Sequence, residues 1–198
     1  MAQLYLIRHG QTDWNAQRRF QGSQDIPLNE TGRLQAKEAA NNLASTPFEA
    51  IYSSQLIRAK ETAEIIRGSR SQEIQIEEDL REGTFGSLEG ECYGANSPWD
   101  DLSHLSYEER LHHKWVNDQE TAHQLIERVV PCLLKIASTH EDHKVLVVTH
   151  GGVMRTLLAV LEKKDWSSIK IHNTEVLIFE KCPKAHLRLH ATQFSPSQ

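Results

Sequence analysis

Lys144-Val145-Leu146-Val147-Val148-Thr149-His150-Gly151-Gly152 is the stretch that decides the fold. Four apolar residues in a row, three of them β-branched, suit a strand buried on both faces, although periodicity alone does not exclude a helix. A histidine and two glycines then break the run before Val153–Leu161, whose apolar spacing predicts a helix. Leu4-Tyr5-Leu6-Ile7 followed by Arg8-His9-Gly10 is built the same way.

Working outward, strands alternate with helices. Ala50-Ile51-Tyr52-Ser53 reads as a strand, and Ser54 as the cap of a helix to about Arg67. Ile74 and Ile76 alternate with polar residues, which suits a further strand. Asn29-Glu30-Thr31-Gly32 precedes a helix whose apolar stripe is Leu34, Ala36, Ala39, Ala40 and Leu43. A long helix is expected from about Glu120 to Ser138, with a kink at Pro131 left open. Two strands near 174–180 and 186–192 end the series. Residues 11–30 read as loop. Residues 83–118, with Gly83, Gly86, Gly90, Gly94 and Pro98, read as a cap-like excursion carrying a short helix near 106–114. This order predicts an α/β fold with a parallel or mostly parallel sheet covered on both faces. Ligands in such sheets sit beyond the carboxyl ends of the strands, where Arg8-His9-Gly10 and His150-Gly151-Gly152 both fall.

At 198 residues, 38% hydrophobic and 25% charged, the chain suits one domain over 1–198. A net charge of −5 disfavours nucleic acid or an anionic membrane as partner, yet leaves room for a locally basic pocket. No run is long and apolar enough to span a bilayer, and Met1-Ala2-Gln3 does not open a signal peptide. Cys92, Cys132 and Cys182 are widely spaced and read as free thiols, which places the protein in the cytoplasm.

A lone Arg-His-Gly would arise by chance in roughly one chain in forty of this length, so by itself it decides nothing. Five elements together do more: Leu6-Ile7-Arg8-His9-Gly10-Gln11-Thr12 with Asn15; Pro27-Leu28-Asn29-Glu30-Thr31-Gly32; Ser53-Ser54-Gln55-Leu56-Ile57-Arg58-Ala59-Lys60-Glu61-Thr62-Ala63; Leu80-Arg81-Glu82-Gly83 with Gly86; and Val148-Thr149-His150-Gly151-Gly152. In this order the set resembles the histidine phosphatase superfamily, which contains cofactor-dependent phosphoglycerate mutases and small phosphatases. The resemblance implies a three-layer α/β/α sandwich and a phosphohistidine intermediate on His9. It implies Arg8, Arg58 and His150 around the phosphate, Glu82 as proton donor, and Gly151, Asn15, Gln21 and Thr12 as further substrate contacts. It implies no metal and no cofactor, and a small phosphorylated metabolite as substrate.

Elementary chemistry agrees. A neutral imidazole is a nucleophile at neutral pH, and phosphohistidine is labile to water. Flanking guanidiniums oppose protonation of the ring and grip phosphate oxygens in pairs. Phosphoryl transfer needs mainly alignment and charge neutralisation, so fixed cations can replace a metal. A protonated His150 would add a donor, and a carboxyl at Glu82 could protonate the leaving alkoxide. Arg81 reads instead as an ion-pair residue holding its loop.

Other groups are weaker. His140-Glu141-Asp142-His143 reads as a solvated turn, and His112-His113-Lys114 with Arg110 as a solvated helix face. Tyr93, Trp99, Tyr107 and Trp115 could line a lid over the substrate or simply pack the excursion. Two alternatives to a phosphatase remain: a phosphoglycerate mutase and a non-catalytic module that binds phospho-ligands. The segment between Glu82 and His150 is short for the mutases, and the excursion offers Asp100, Asp101, Glu108 and Glu109 beside few cations for a substrate carboxylate. Leu88 stands where the family often has Trp. The final strands leave open pairing into a homodimer.

Overall fold

A computed structural model describes residues 1–93, 102, 104–182 and 186–193. Its strands are β1 (Gln3–Arg8), β2 (Phe48–Ser53), β3 (Ile74–Ile76), β4 (Lys144–Thr149), β5 (Val176–Cys182) and β6 (His186–Gln193). Its helices are α1 (Asp13–Ala16), α2 (Glu30–Asn42), α3 (Ile57–Arg67), α4 (Tyr107–His112), α5 (Ala122–Thr139) and α6 (Gly151–Leu161). The strands form a six-stranded sheet in the order β3-β2-β4-β1-β5-β6. β3, β2, β4 and β1 run parallel, whereas β5 and β6 are antiparallel additions at one side.

The strand periodicity of two sorts the core into two faces. Leu4, Leu6, Val145 and Val147 point to one side, where they meet Val129, Leu133 and Ile136 of α5 and Val153 and Leu157 of α6. Tyr5, Ile7, Leu146 and Val148 point to the other, toward Ala39 of α2 and Ala59, Ala63 and Ile66 of α3. This is the expected α/β/α arrangement. Each large aliphatic side chain buried this way contributes about 1.5–3 kcal/mol of hydrophobic stabilisation, offset by ordering of the chain.

Several local expectations change. Leu34 is 59% exposed, so it leaves the α2 stripe, which rests on Gly32, Ala36 and Ala39. Residues 11–30 hold the one-turn helix α1, closed by a reciprocal cap between Thr12 and Asn15. Ser54 does not cap α3. The helix starts at Ile57, whose N–H donates to the Asp25 carboxylate brought in from the distant loop. α5 runs through Pro131. Trp99, Asp100 and Asp101 lie outside the described residues. No helix among the described residues is long and apolar enough to cross a membrane.

Candidate active site

The parallel pairing of β1 with β4 sets Arg8 opposite Thr149, and the His9 N–H donates to the Thr149 carbonyl at 3.0 Å. Two histidines separated by more than half the chain therefore leave adjacent strands side by side. Their rings lie 5.2 Å apart, centroid to centroid. Both are buried, His9 at 2% and His150 at 0% exposure.

His9 Nδ1 lies 2.7 Å from the Gly10 carbonyl oxygen, a bond that requires the proton on Nδ1. Nε2 then keeps its lone pair, and Arg58 Nε donates to it at 3.3 Å. Burial, then the charges of Arg58 and Arg8, push the His9 pKa well below the ordinary histidine value. The ring is thus a neutral base, as the flanking arginines led one to expect.

Arg58 is itself fully buried on α3. One N–H of each terminal nitrogen donates to the Gln24 and Gly22 carbonyls at 2.6 and 2.8 Å, which fixes the fork. Burial lowers its pKa to about 10, so the guanidinium remains charged at neutral pH. Arg8 donates to the Ile171 carbonyl, and its buried Nε has no hydrogen-bond partner among the described residues. Gly151 packs against this guanidinium; a Cβ there would lie 3.1 Å from Arg8 Nε.

The carboxylate of Glu82 is seated by the start of α6. Gly152 N–H donates to Oε2 at 2.9 Å, and Gly83 N–H to Oε1 at 3.0 Å. Arg128 of α5 holds the loop behind it, donating to the Asp79, Arg81 and Glu82 carbonyls and to Glu120. Arg81 pairs with the same Glu120 at 3.3 Å, the ion-pair role the sequence suggested.

A cavity of about 450 Å³ collects these groups. Arg8, His9, Asn15, Gln21, Arg58, Glu82 and Gly151 all line it. Thr12 and His150 stand one layer back. Thr12 is fully buried; its N–H donates to Asn15 Oδ1 and its hydroxyl to Gln21 Oε1, so it positions two lining residues and does not face the cavity. His150 shares a hydrogen bond with Ser54 Oγ at 2.8 Å. Burial first, then Arg58 and His9, hold its pKa well below the usual range, so the ring is neutral in this arrangement.

Sequence reasoning overlooked several lining residues. Asn173 donates from Nδ2 to the His9 carbonyl at 2.9 Å. Gln11, Arg18, Arg19 and Arg155 complete the polar wall. Arg155 follows Gly151 by one helical turn, a spacing that could have flagged it; Asn173 gave no signal. Phe20, Phe85 and Tyr93 form an aromatic wall, with Phe20 ring centroids 5.0 Å from Phe85 and 5.2 Å from Tyr93. Trp115 packs behind at 6.1 Å from Phe20, whereas Tyr107 is 40% exposed and outside the wall. Leu88 does not line the cavity either. His140 bonds Tyr52 Oη at 3.0 Å, and no three His, Cys, Asp or Glu among the described residues cluster to hold a metal.

Residues 4–189 match the histidine phosphatase superfamily (branch 1). The chain belongs to the histidine phosphatase superfamily. It is 34% identical over 181 residues to phosphoglycerate mutase-like protein 4 of Arabidopsis thaliana, covering 90% of this chain and 79% of that one. It is also 34% identical over 160 residues to a metal-independent phosphoserine phosphatase of the same plant, covering 79% and 67%. The solved structure of Bacillus stearothermophilus YhfR superposes with a TM-score of 0.81 at 34% identity, covering 96% of this chain and 95% of that one. This histidine phosphatase is accordingly a phosphomonoester hydrolase, with mutase-like proteins among its relatives.

Proposed function

We propose that the chain hydrolyses a small phosphorylated metabolite in two steps, with His9 Nε2 as the nucleophile. The observation that carries this is the His9 tautomer. Nδ1–H is tied to the Gly10 carbonyl, and the unprotonated Nε2, held by Arg58 Nε at 3.3 Å, is the nitrogen presented in a cavity that Arg8 also lines. Arg8 and Arg58 grip the phosphoryl oxygens. Nε2 attacks phosphorus, the ester P–O bond breaks, and Glu82 gives its proton to the departing alkoxide. The resulting carboxylate then takes a proton from water. The water oxygen attacks phosphorus, the P–N bond breaks, and inorganic phosphate leaves. A phosphate dianion bound beside His9, whose ring lies 5.2 Å from that of His150, favours a proton on His150, opposing the burial that keeps the ring neutral beforehand. Asn15, Gln21 and Gly151 line the bound group, and Thr12 holds the first two in place.

The reading takes residues 1–198 as one domain with 83–118 as its excursion. It places the protein in the cytoplasm and lets a second copy pair on the edge strand β6, which sedimentation would detect. A mutase shares the first step and differs in the acceptor; arginines in the wall beyond the phosphoryl position are the observation on its side.

The test is His9→Ala. Release of phosphate from an aryl phosphate should vanish while circular dichroism stays unchanged. Acid-labile, base-stable phosphorylation should be trapped on the wild type alone, in EDTA as well as without it. Full turnover by the variant would end the proposal.

A further inference from the structure

The Arg58 fork is aimed by a turn that has little support of its own. NH1 and NH2 donate to the Gln24 and Gly22 carbonyls, so the guanidinium stands only as firmly as residues 22–24. These residues belong to no helix or strand; Gln24 N–H closes the turn on the Gln21 carbonyl at 3.0 Å.

The brace comes from the excursion, at Glu89. Its Oε1 accepts from Ser23 N–H at 2.9 Å, Thr84 Oγ1 at 2.8 Å and Phe85 N–H at 3.0 Å. Its Oε2 accepts from Ser23 Oγ and from Gln24 Nε2, each at 2.9 Å. One carboxylate therefore joins the 22–24 turn to residues 84–85. Gly90 N–H on the Phe20 carbonyl at 2.8 Å, and Phe20 N–H on the Glu91 carbonyl at 3.0 Å, continue the same seam.

Two further observations bear on this carboxylate. Gly22 has φ +51°, and a Cβ there would overlap Glu89 Oε1, so the group sits where only glycine leaves room. Burial raises the Glu89 pKa, yet the bonds from Ser23, Gln24, Thr84 and Phe85 outweigh it and hold the group below the usual carboxylate range. Glu89 is thus an anion at neutral pH, and its charge favours the protonated form of Arg58. Glu89 does not line the cavity, so an effect on turnover has to pass through a neighbour.

We propose that Glu89 is a positioning residue for the phosphate clamp: it pins the 22–24 turn whose carbonyls aim the Arg58 fork at the phosphoryl group. The inference rests on the hydrolase reading above. Each terminal nitrogen of Arg58 spends one N–H on the turn and keeps a second for a phosphoryl oxygen. With the turn pinned, the fork is oriented before the ester arrives; with the turn loose, binding must order it. A rival route runs from Glu89 through Thr84 to the neighbouring Glu82, and the leaving group tells the two apart.

The experiment compares wild type, Glu89→Ala, Glu89→Gln, Arg58→Ala and the double variant Glu89→Ala/Arg58→Ala. Binding of orthovanadate, followed by calorimetry, reads the clamp without turnover. Glu89→Ala should weaken it by about 10- to 10²-fold, since a misplacement of about 1 Å costs on the order of 10²-fold. Single-turnover phosphoenzyme formation should fall by the same factor for an alkyl phosphate and for p-nitrophenyl phosphate. Glu89→Gln keeps size and one acceptor oxygen but turns an NH2 toward Gln24; it should recover part of the affinity and still bind vanadate about threefold or more weakly, the effect of one lost hydrogen bond. In the Arg58→Ala background, Glu89→Ala should cost nothing further on p-nitrophenyl phosphate, because the brace acts through Arg58. A merely structural glutamate would lower the melting temperature and leave vanadate affinity and both rates of the folded protein within about twofold of wild type; that result overturns the proposal. Losses that add to those of Arg58→Ala, or that fall mainly on the alkyl ester, overturn it as well. Should Glu89→Ala fail to fold, wild-type vanadate affinity in Glu89→Gln does the same. A wild type that turns over neither ester and forms no phosphohistidine overturns the hydrolase reading, and the vanadate comparison still decides the brace on Arg58.

Discussion

Gly152→Ala separates the placement of Glu82 from every other part of the site. Gly152 is the second residue of α6, and its N–H is one of the two donors seating the Glu82 carboxylate. A Cβ added there would lie 2.4 Å from Glu82 Oε1 and 3.0 Å from Cδ. Ordinary contact begins near 3.4 Å, so the carboxylate must retreat by about 1 Å. The obstructing atoms end a side chain that can swing, and alanine is the better helix former by up to about 1 kcal/mol, so the fold should survive. Catalysis should not. A misplacement of about 1 Å costs on the order of 10²-fold, within the roughly 10²–10⁴-fold that a positioned acid supplies. That loss should fall on phosphoenzyme formation from an alkyl phosphate, whose alkoxide needs a proton. p-Nitrophenyl phosphate, with a leaving group that departs unaided, should be affected far less. Glu82→Gln should show the same contrast. Rapid-quench single-turnover assays are required, because in the proposed mechanism Glu82 also serves the later attack by water. Equal losses on both esters in Gly152→Ala, with the melting temperature unchanged, would refute the assignment of Glu82 as the acid.

Two further outcomes follow from the same geometry. In Gly10→Ala the new Cβ would sit 2.4 Å from the Gly32 carbonyl oxygen, a backbone atom that cannot swing aside. Overpacking of this kind costs about 1–3 kcal/mol, and urea melts matching the wild type would contradict the close approach of the His9 loop to α2. The pH dependence of stability reads the two buried histidines. Their folded pKa values lie well below the ordinary value near 6.5 that the unfolded chain retains, so below that pH the unfolded state binds more protons. Stability is therefore fully present above about pH 6.5 and is lost as pH falls, by up to about 1.4 kcal/mol per pH unit for each histidine. Unfolding free energies between pH 7 and 5.5 should fall less steeply in His9→Asn than in the wild type. Parallel slopes would mean that the His9 ring is not held neutral by burial.

Much of the site was legible because its residues sit where a strand ends. Arg8-His9-Gly10 and His150-Gly151-Gly152 each follow an apolar run, and a residue leaving a buried parallel strand has to emerge at the carboxyl edge of the sheet. Arg58 and Glu82 were reachable only as parts of a pattern, since a helical arginine or a loop glutamate is ordinarily solvated. Asn173 and Arg18 escaped altogether. Their roles depend on which loop folds over which strand end, and local composition carries no trace of that. The misplaced details share one cause. Ser54 looked like a cap, but the Asp25 carboxylate takes the first N–H of α3, and Ser54 Oγ bonds the Leu56 N–H and His150. Leu34 looked like core, yet the α2 face that meets the sheet is set by Gly32, Ala36 and Ala39.

The sequence by itself determined the alternation of strands and helices, the two-faced burial of β1 and β4, and the identity of the paired histidines. Hydrophobic period and glycine breaks are local properties, and they survive in any arrangement that buries the apolar runs. Only the tertiary structure decided that β1 and β4 are neighbours in register, which sets the His9 and His150 rings 5.2 Å apart. It also decided the tautomer of His9, the seating of Glu82 on Gly152 N–H, and the gathering of five arginines around one cavity. Each of these depends on distances of a few ångströms between segments far apart in the chain. Such distances are fixed by strand order and loop path, which the packing of the whole core selects and no single segment encodes.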